Sequence, residues 1–285
     1  MGWRVKKVPV TEAGGLCLLR PDSSPASLRL MSDLHVGAAN ADYALMVAEL
    51  EEAKAAGDRV LINGDVFDMI LSKDLKRFSP QTLHPAIRGR TDLVNAAVEF
   101  ALELFSPYAG LIDLVGCGNH ETYASHNHSV DPTKLFADAL GAPYGGYQGF
   151  VRYATTRHSR EPFTVFYWHG AGGGAGLGGQ LGEFGGKGTF VEGADVSWYG
   201  HRHCKAVTQV DRVYLKGNRL ATRQQFFLRT GGYLVTYGEQ SPAEVRSSGR
   251  RSNYAADALH TPYGRGGLRV VFSPAGRVKV EVSSP

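Results

Sequence analysis

Long apolar runs are missing from this 285-residue chain. No stretch reaches about 18 residues, so no membrane-spanning helix is expected. The opening residues Met1-Gly2-Trp3-Arg4-Val5-Lys6-Lys7 carry charge with no apolar core behind them, which argues against a secretion signal. Cysteine is scarce and odd in number. Cys17, Cys117 and Cys204 have no metal-binding spacing, and a reducing cytoplasm is the simplest setting for them. A charged content of 20% and a hydrophobic content of 43% are ordinary for a globular protein.

Against this plain background, five short strings stand in order. They are Asp33-Leu34-His35, Gly64-Asp65-Val66-Phe67-Asp68, Gly118-Asn119-His120-Glu121, Trp168-His169-Gly170 and Gly200-His201-Arg202-His203. The first four follow short apolar runs of β type, at Leu28–Met31, Val60–Ile62, Leu111–Val115 and Phe163–Tyr167; Ala194–Tyr199 is a weaker run before the fifth. Side chains just past strand ends sit on loops that a sheet can gather at one edge. The pattern therefore brings Asp33, Asp65, Asn119, His35, His169, His201 and His203 into one pocket, with His120 beside it. That donor set is large enough for two divalent metals. Any one of these residues alone is commonly a turn former or a surface polar group, and the ordered set carries the signal.

Between the strings, apolar side chains at Tyr43, Met46, Val47, Leu50 and Ala53 mark one face of a helix over 41–56, and Gly57 suits its carboxyl end. Further helices are expected over Leu93–Phe105 and Pro132–Leu140. After Gly200 the pattern changes to strands and turns: Ala206–Leu215, Gln225–Leu228, Tyr233–Tyr237, Leu268–Phe272 and Val278–Val282. Helices first and strands later predict the α/β class, with two mixed β-sheets packed face to face and flanked by helices, a four-layer α/β/β/α sandwich. The strings need one another in space, so residues 28–205 form one unit, and 1–285 reads as a single domain.

Two segments stand apart. Residues 170–188 are mostly glycine, which costs entropy to order, and read either as a flap over the site or as a tolerated insertion. The part after the last string, 204–285, is β-rich and basic. From His201 onward fourteen Lys/Arg face five Asp/Glu, with a cluster at Arg246, Arg250 and Arg251. Lys73, Lys76, Arg77, Arg88 and Arg90 form an earlier one. Such asymmetry suits a polyanionic partner, and equally a solvated surface.

The five strings closely resemble those of the calcineurin-like metallophosphoesterases, in which Asp-x-His, Gly-Asp, Gly-Asn-His-Asp/Glu, a lone His and Gly-His-x-His follow in this order. The resemblance spans Asp33 to His203. It implies two metals: Asp65 bridging, Asp33, His35 and His203 completing the first, and Asn119, His169 and His201 the second. It implies that His120 is no ligand but the general acid for the leaving oxygen. An imidazole in that role needs its other nitrogen oriented, and Asp68 matches the residue that does so in the protein-phosphatase branch, with Glu121 as an alternative. His126 and His128 follow a complete site and read as near-site surface or substrate contacts.

Two cations sharing a bridging hydroxide can supply a nucleophile at neutral pH and clamp a phosphate. Nitrogen and oxygen donors without thiolate suit Mn²⁺ first, and also Fe, Zn²⁺, Co²⁺ or Ni²⁺. Asp68 is followed by Met69-Ile70 rather than Arg-Gly, unlike protein phosphatases, and His120 stands where the lipid A pathway pyrophosphatases have Arg. Gly-Asp-x-Phe-Asp with Gly-Asn-His-Glu looks most like the double-strand-break repair exonucleases and related phosphodiesterases. The implied substrate is a phosphodiester of nucleic acid or a nucleotide, with nucleic acid held by the basic C-terminal part. A phosphomonoesterase on a small molecule or phosphoprotein is the second reading, and a non-catalytic nucleic-acid-binding scaffold the third.

Overall fold

The computed structural model describes residues 11–13, 16–21, 25–70, 80–153, 162–172, 182, 184, 190–235, 264–272 and 278–282. Strands β1 (Thr11–Ala13), β2 (Leu16–Leu19) and β3 (Ser27–Met31) lead into helix α1 (Tyr43–Ala56) and strand β4 (Arg59–Asn63). Then come α2 (Leu93–Phe105), β5 (Ile112–Gly116), α3 (Asn119–His128), α4 (Pro132–Leu140), β6 (Tyr144–Gly146), β7 (Gln148–Tyr153), β8 (Phe163–Trp168) and β9 (Val196–Tyr199). Four strands follow: β10 (Ala206–Lys216), β11 (Arg219–Arg229), β12 (Leu268–Phe272) and β13 (Val278–Val282).

Local chemistry sets the helix ends. Asp42 caps α1 by accepting from the Leu45 amide at 3.0 Å, and Gly57 ends it in the left-handed conformation at φ 69°. Asp131 caps α4 in the same way, with Pro132 in its first turn, where a missing N–H costs nothing.

Two mixed sheets result. One has seven strands in the order β1-β2-β7-β8-β9-β11-β10, and the other six in the order β13-β12-β3-β4-β5-β6. Their facing sides bury Leu28, Leu30, Leu61, Leu114, Val165, Tyr167, Trp198 and Leu228 in a common core. The outer face of the six-stranded sheet carries Met31, Ile62 and Val115 against helix residues such as Leu50, Ala101, Phe105 and Phe136. The outer face of the seven-stranded sheet, with Phe166, Tyr199 and Phe227, is covered by the helical residue Phe184 and by Val191 and Ala194. This is the expected sandwich of two mixed sheets with helices outside.

The basic C-terminal part joins both sheets. β12 pairs antiparallel with β3, and Arg269 donates to both Asp58 oxygens at 2.8 and 3.0 Å, fastening it across the strand. The strand expected over Tyr233–Tyr237 is reduced to a single bridge, Ala41 with Leu234, and 236–237 lie outside the described residues. Also outside them are most of 170–188, the cluster Lys73, Lys76 and Arg77, and the cluster Arg246, Arg250 and Arg251.

β3, β4 and β5 run parallel in one sheet, and β8, β9 and β11 in the other. The strings that follow β3, β4, β5, β8 and β9 therefore leave carboxyl ends of strands and meet at one edge of the sandwich.

Candidate metal centre

Three of the five strings turn through left-handed backbone at their candidate donors. Asp33, His35, Asp65, His201 and His203 have φ of 56°, 50°, 45°, 69° and 52°. That left-handed region is uncommon for any residue with a side chain and costs on the order of 1–3 kcal/mol each. The turns are held by main-chain bonds between strings. Asp33 N donates to Gly64 O, His35 N to Asp65 O, and Tyr233 N to Asp33 O, all at 3.0 Å. Five of the seven candidate donors sit in strained turns that their neighbours enforce. Strained turns of this kind cluster at active sites and ligand clamps.

Among the described residues the side chains converge in three groups, Asp33 with His35 and His203, Asp65 with His169 and His201, and His35 with Asp68 and His120, each able to offer donor atoms within 4.8 Å of one another; the first two hold the candidate donors. In the first, His203 Nε2 lies 3.3 Å from Asp33 Oδ1 and 3.1 Å from His35 Nε2. In the second, His169 Nε2 lies 3.2 Å from Asp65 Oδ2, and Asn119 Oδ1 lies 3.2 Å from His169 Nε2 and 2.7 Å from His201 Nδ1. All seven residues predicted from the strings are thus brought together.

The outward nitrogens of two of the imidazoles are also occupied. His169 Nδ1 donates to Asn63 O at 2.9 Å, and His201 Nε2 donates to Gly172 O at 3.1 Å. His35 Nδ1 faces Asp68 Oδ1 at 3.2 Å, an ion-pair distance whose angle is too poor for a hydrogen bond. Fixing the outward nitrogen turns a lone pair inward, as histidines that bind metals require. Imidazole nitrogens, the Asn119 amide oxygen and carboxylate oxygens then face each other at 2.7–3.3 Å, a cluster that protons on the imidazoles hold together here and that bound cations would equally satisfy. The donor set fits two divalent metals.

The electrostatics of the site are dominated by its carboxylate–imidazole pairs. Burial opposes ionisation of Asp65, yet the His169 charge and hydrogen bond, with His120 and His35, outweigh it and hold the carboxyl well below its usual range. Burial likewise opposes ionisation of Asp33, and His203 and His169 lower it overall. Burial disfavours a charged His169, but Asp65 and Asp33 draw its pKa up to about 10. Burial holds His35 and His201 below the ordinary imidazole value. The buried carboxylates of Asp33 and Asp65 are thus balanced by neighbouring imidazoles, chiefly His169.

His120 lies at the rim, with Nε2 4.0 Å from Asp65 Oδ2. Its main-chain N–H donates to Asp65 Oδ1 at 3.0 Å, and its Nδ1 donates to the main-chain carbonyl of Asp68. The Asp68 carboxylate is 4.0 Å from that nitrogen and closer to His35. So the residue named from the sequence as the orienting group contacts His120 through its backbone, and its carboxylate faces a candidate donor. Glu121, the alternative, is buried and turned away from His120; it accepts from Phe67 N at 2.8 Å and Gly118 N at 2.7 Å. Burial and the nearby Asp65 raise its pKa to about 7.

Other residues support the site without a sequence signal. Ser32 Oγ donates to Asp33 Oδ2 and lies 2.6 Å from Thr230 Oγ1, which accepts from Trp198 Nε1 at 3.0 Å. Tyr147 sets its ring edge-to-face against His169 at 5.5 Å between centroids and donates to Gly170 O at 2.7 Å. Gly118 has no room for a side chain, because a Cβ there would run into the Asp65 carboxylate. His126 is exposed on α3 and, with Cys117, Glu121, Ser125 and Tyr144, lines a cavity of about 370 Å³. The His128 side chain lies outside the described residues.

No family model matches the chain. No curated protein matches it either. Among solved structures, it is similar to a conserved uncharacterised protein of Streptococcus pneumoniae TIGR4, titled a predicted phosphoesterase, at TM-score 0.36 and 14% identity over 92% of this chain and 99% of that one. It is also similar to a metallophosphoesterase from Sphaerobacter thermophilus, at TM-score 0.35 and 14% identity over 91% of this chain and 89% of that one. Likeness at this level carries no functional weight.

Proposed function

We propose that the chain is a dinuclear metal-dependent phosphoesterase that hydrolyses phosphodiester bonds of nucleic acid or nucleotides. The observation that carries this reading is the convergence of seven nitrogen and oxygen donors at one edge of the sandwich, five of them on left-handed backbone. Asp33, His35 and His203 would hold one ion and Asn119, His169 and His201 the other, with Asp65 between them. Nitrogen and oxygen donors without thiolate suit Mn²⁺, Fe, Zn²⁺, Co²⁺ or Ni²⁺, and Mn²⁺ is the ion we try first. When bound, the pair supplies a nucleophile at neutral pH and neutralises charge on the phosphoryl oxygens.

The protein's own residues do the rest. The Asp68 carbonyl takes the Nδ1 proton of His120 as a hydrogen bond, which leaves Nε2 facing the site to pass a proton to the departing oxygen. The Asp68 carboxylate fixes the ring of His35. Glu121 ties the 65–68 turn to the 118–121 turn, so the bridging carboxylate and the acid keep one spacing. Ser32 restrains the Asp33 carboxylate. Cys17 and Cys204 are buried, and Cys17, Cys117 and Cys204 form no disulfide. No described helix is long and apolar enough to cross a membrane.

The test is a metal-supplemented activity panel with bis-nitrophenyl phosphate, the nitrophenyl monoester, and single- and double-stranded DNA. Turnover of the diester and of DNA in Mn²⁺ is the expected result. Turnover of the monoester alone would replace this reading with a phosphomonoesterase, and no turnover with any metal would reject an enzyme.

A further inference from the structure

His35 Nδ1 is a buried nitrogen with no hydrogen bond among the described residues. The same ring is committed on its other side, where Nε2 lies 3.1 Å from His203 Nε2 in the first donor group. Nδ1 turns instead to the Asp68 carboxylate, 3.2 Å away. That same carboxylate oxygen lies 4.0 Å from His120 Nδ1. The two imidazoles meet edge to face, with centroids 4.8 Å apart and planes at 81°. One ligand atom from each of His35, Asp68 and His120 therefore lies within 4.8 Å of the other two.

An Asp68 that only orients His35 explains part of this arrangement. A carboxylate in that role takes the imidazole N–H nearly in line. Here the distance is short and the angle too poor for a hydrogen bond. Nor does orientation of His35 call for a second imidazole nitrogen beside the same oxygen. A small divalent ion accounts for all three groups. Tetrahedral Zn²⁺, with bonds of roughly 2.0–2.1 Å, holds its ligand atoms about 3.3 Å apart. The His35–Asp68 distance matches as it stands, and a modest turn of the His120 ring closes the other. Two nitrogens and one oxygen favour Zn²⁺ over Mn²⁺, which binds such donors more weakly. The His120 side chain is 15% exposed, so this corner is open to an entering ion.

We propose that His35 Nδ1, Asp68 and His120 Nδ1 form a third cation site, filled by Zn²⁺ in excess, which takes His120 out of proton transfer. The inhibition rests on the reading of His120 as general acid, whereas the binding rests on the geometry of the three side chains. The entering ion displaces the proton on each Nδ1, and both protons leave to solvent. His35 then bridges two ions through its two nitrogens, and the ion already on Nε2 makes the Nδ1 proton easier to displace. His120 gives up its hydrogen bond to the Asp68 carbonyl. Its ring keeps one proton, on Nε2, and is a neutral imidazole rather than an imidazolium. A neutral imidazole donates a proton far less readily, so esters whose leaving oxygen needs one are slowed most.

The experiment counts ions and compares substrates. The full chain is dialysed against Zn²⁺ at a series of buffered free concentrations, and bound metal is measured by elemental analysis. Wild type should rise from two ions to three, and with Mn²⁺ it should stop at two. His120→Ala and Asp68→Asn should stop at two in Zn²⁺, with circular dichroism confirming the fold of each. Filling of the third site should slow turnover of an alkyl diester at least about tenfold more than turnover of bis-nitrophenyl phosphate. Two ions in wild type at every zinc concentration would overturn the proposal and leave Asp68 as an orienting group. A third ion that persists in both variants would also overturn it, because that ion sits elsewhere. So would equal inhibition of the two diesters. A third ion lost from both variants of a protein that turns over no ester would keep the site and reject the catalytic reading.

Discussion

His120 Nδ1 hydrogen-bonds to the main-chain carbonyl of Asp68, while the Asp68 carboxylate stands 4.0 Å from that nitrogen and 3.2 Å from His35 Nδ1. One residue thus touches the proposed acid through its backbone and a proposed ligand through its side chain. A side-chain substitution at 68 and one at 120 should therefore fail in different ways.

His120→Ala should keep both metals and lose roughly 10²–10⁴-fold on DNA or an alkyl diester, whose leaving oxygen needs a proton. It should lose much less on a nitrophenyl diester, whose leaving group departs without one. Equal losses on both substrates would mean that His120 mainly stabilises phosphoryl charge.

Asp68→Asn retains the carbonyl that orients His120, so it should show little bias between leaving groups. Its effect should fall on metal affinity, about 10–100-fold weaker, because the ring of His35 loses its carboxylate. A strong bias against alkyl esters with normal metal affinity would return the orienting role to the carboxylate.

Much of this was legible in the sequence, and the reasons for the remainder are physical. Helices α2 and α4 have the bounds their periodicity predicts, and α1 differs only at its start, where Asp42 proves to be the cap. The convergence of the seven candidate donors was legible because each follows a strand whose apolar run forms on local preference. Helix α3 was not, since Asn119–His128 has no apolar stripe; it is anchored instead by Glu121 bonding back to Gly118 N. The Asp68 carbonyl could not be read either, because a main-chain contact leaves no residue-type signature. Thr230, which lies 2.6 Å from Ser32 across 198 positions, depends on tertiary packing that no local pattern encodes.

Gly118→Ala tests how tightly the centre is built. The added methyl would collide with the Asp65 carboxylate and main-chain N, so stability should fall by about 1–3 kcal/mol and metal content with it. Gly110→Ala, where a Cβ meets nothing within 4 Å, is the control and should change neither. Calorimetry with metal analysis reads both. Normal metal binding in Gly118→Ala would show that Asp65 is free to shift.

Thorough chelation should abolish turnover and lower the melting temperature, because ions bound only by the folded state stabilise it by mass action. Mn²⁺ should restore both better than Ca²⁺, which prefers all-oxygen sites. Equal rescue by Ca²⁺ would argue against the imidazoles as ligands.

The central claim is that two divalent ions share Asp65, and the most direct test is elemental analysis of metal bound per chain in wild type and in Asp65→Asn. After equilibration with Mn²⁺, wild type should hold two ions. Asp65→Asn should hold fewer than one and show no measurable diester turnover. Two ions retained by Asp65→Asn with near-normal turnover, or none held by wild type in saturating Mn²⁺, would contradict the account.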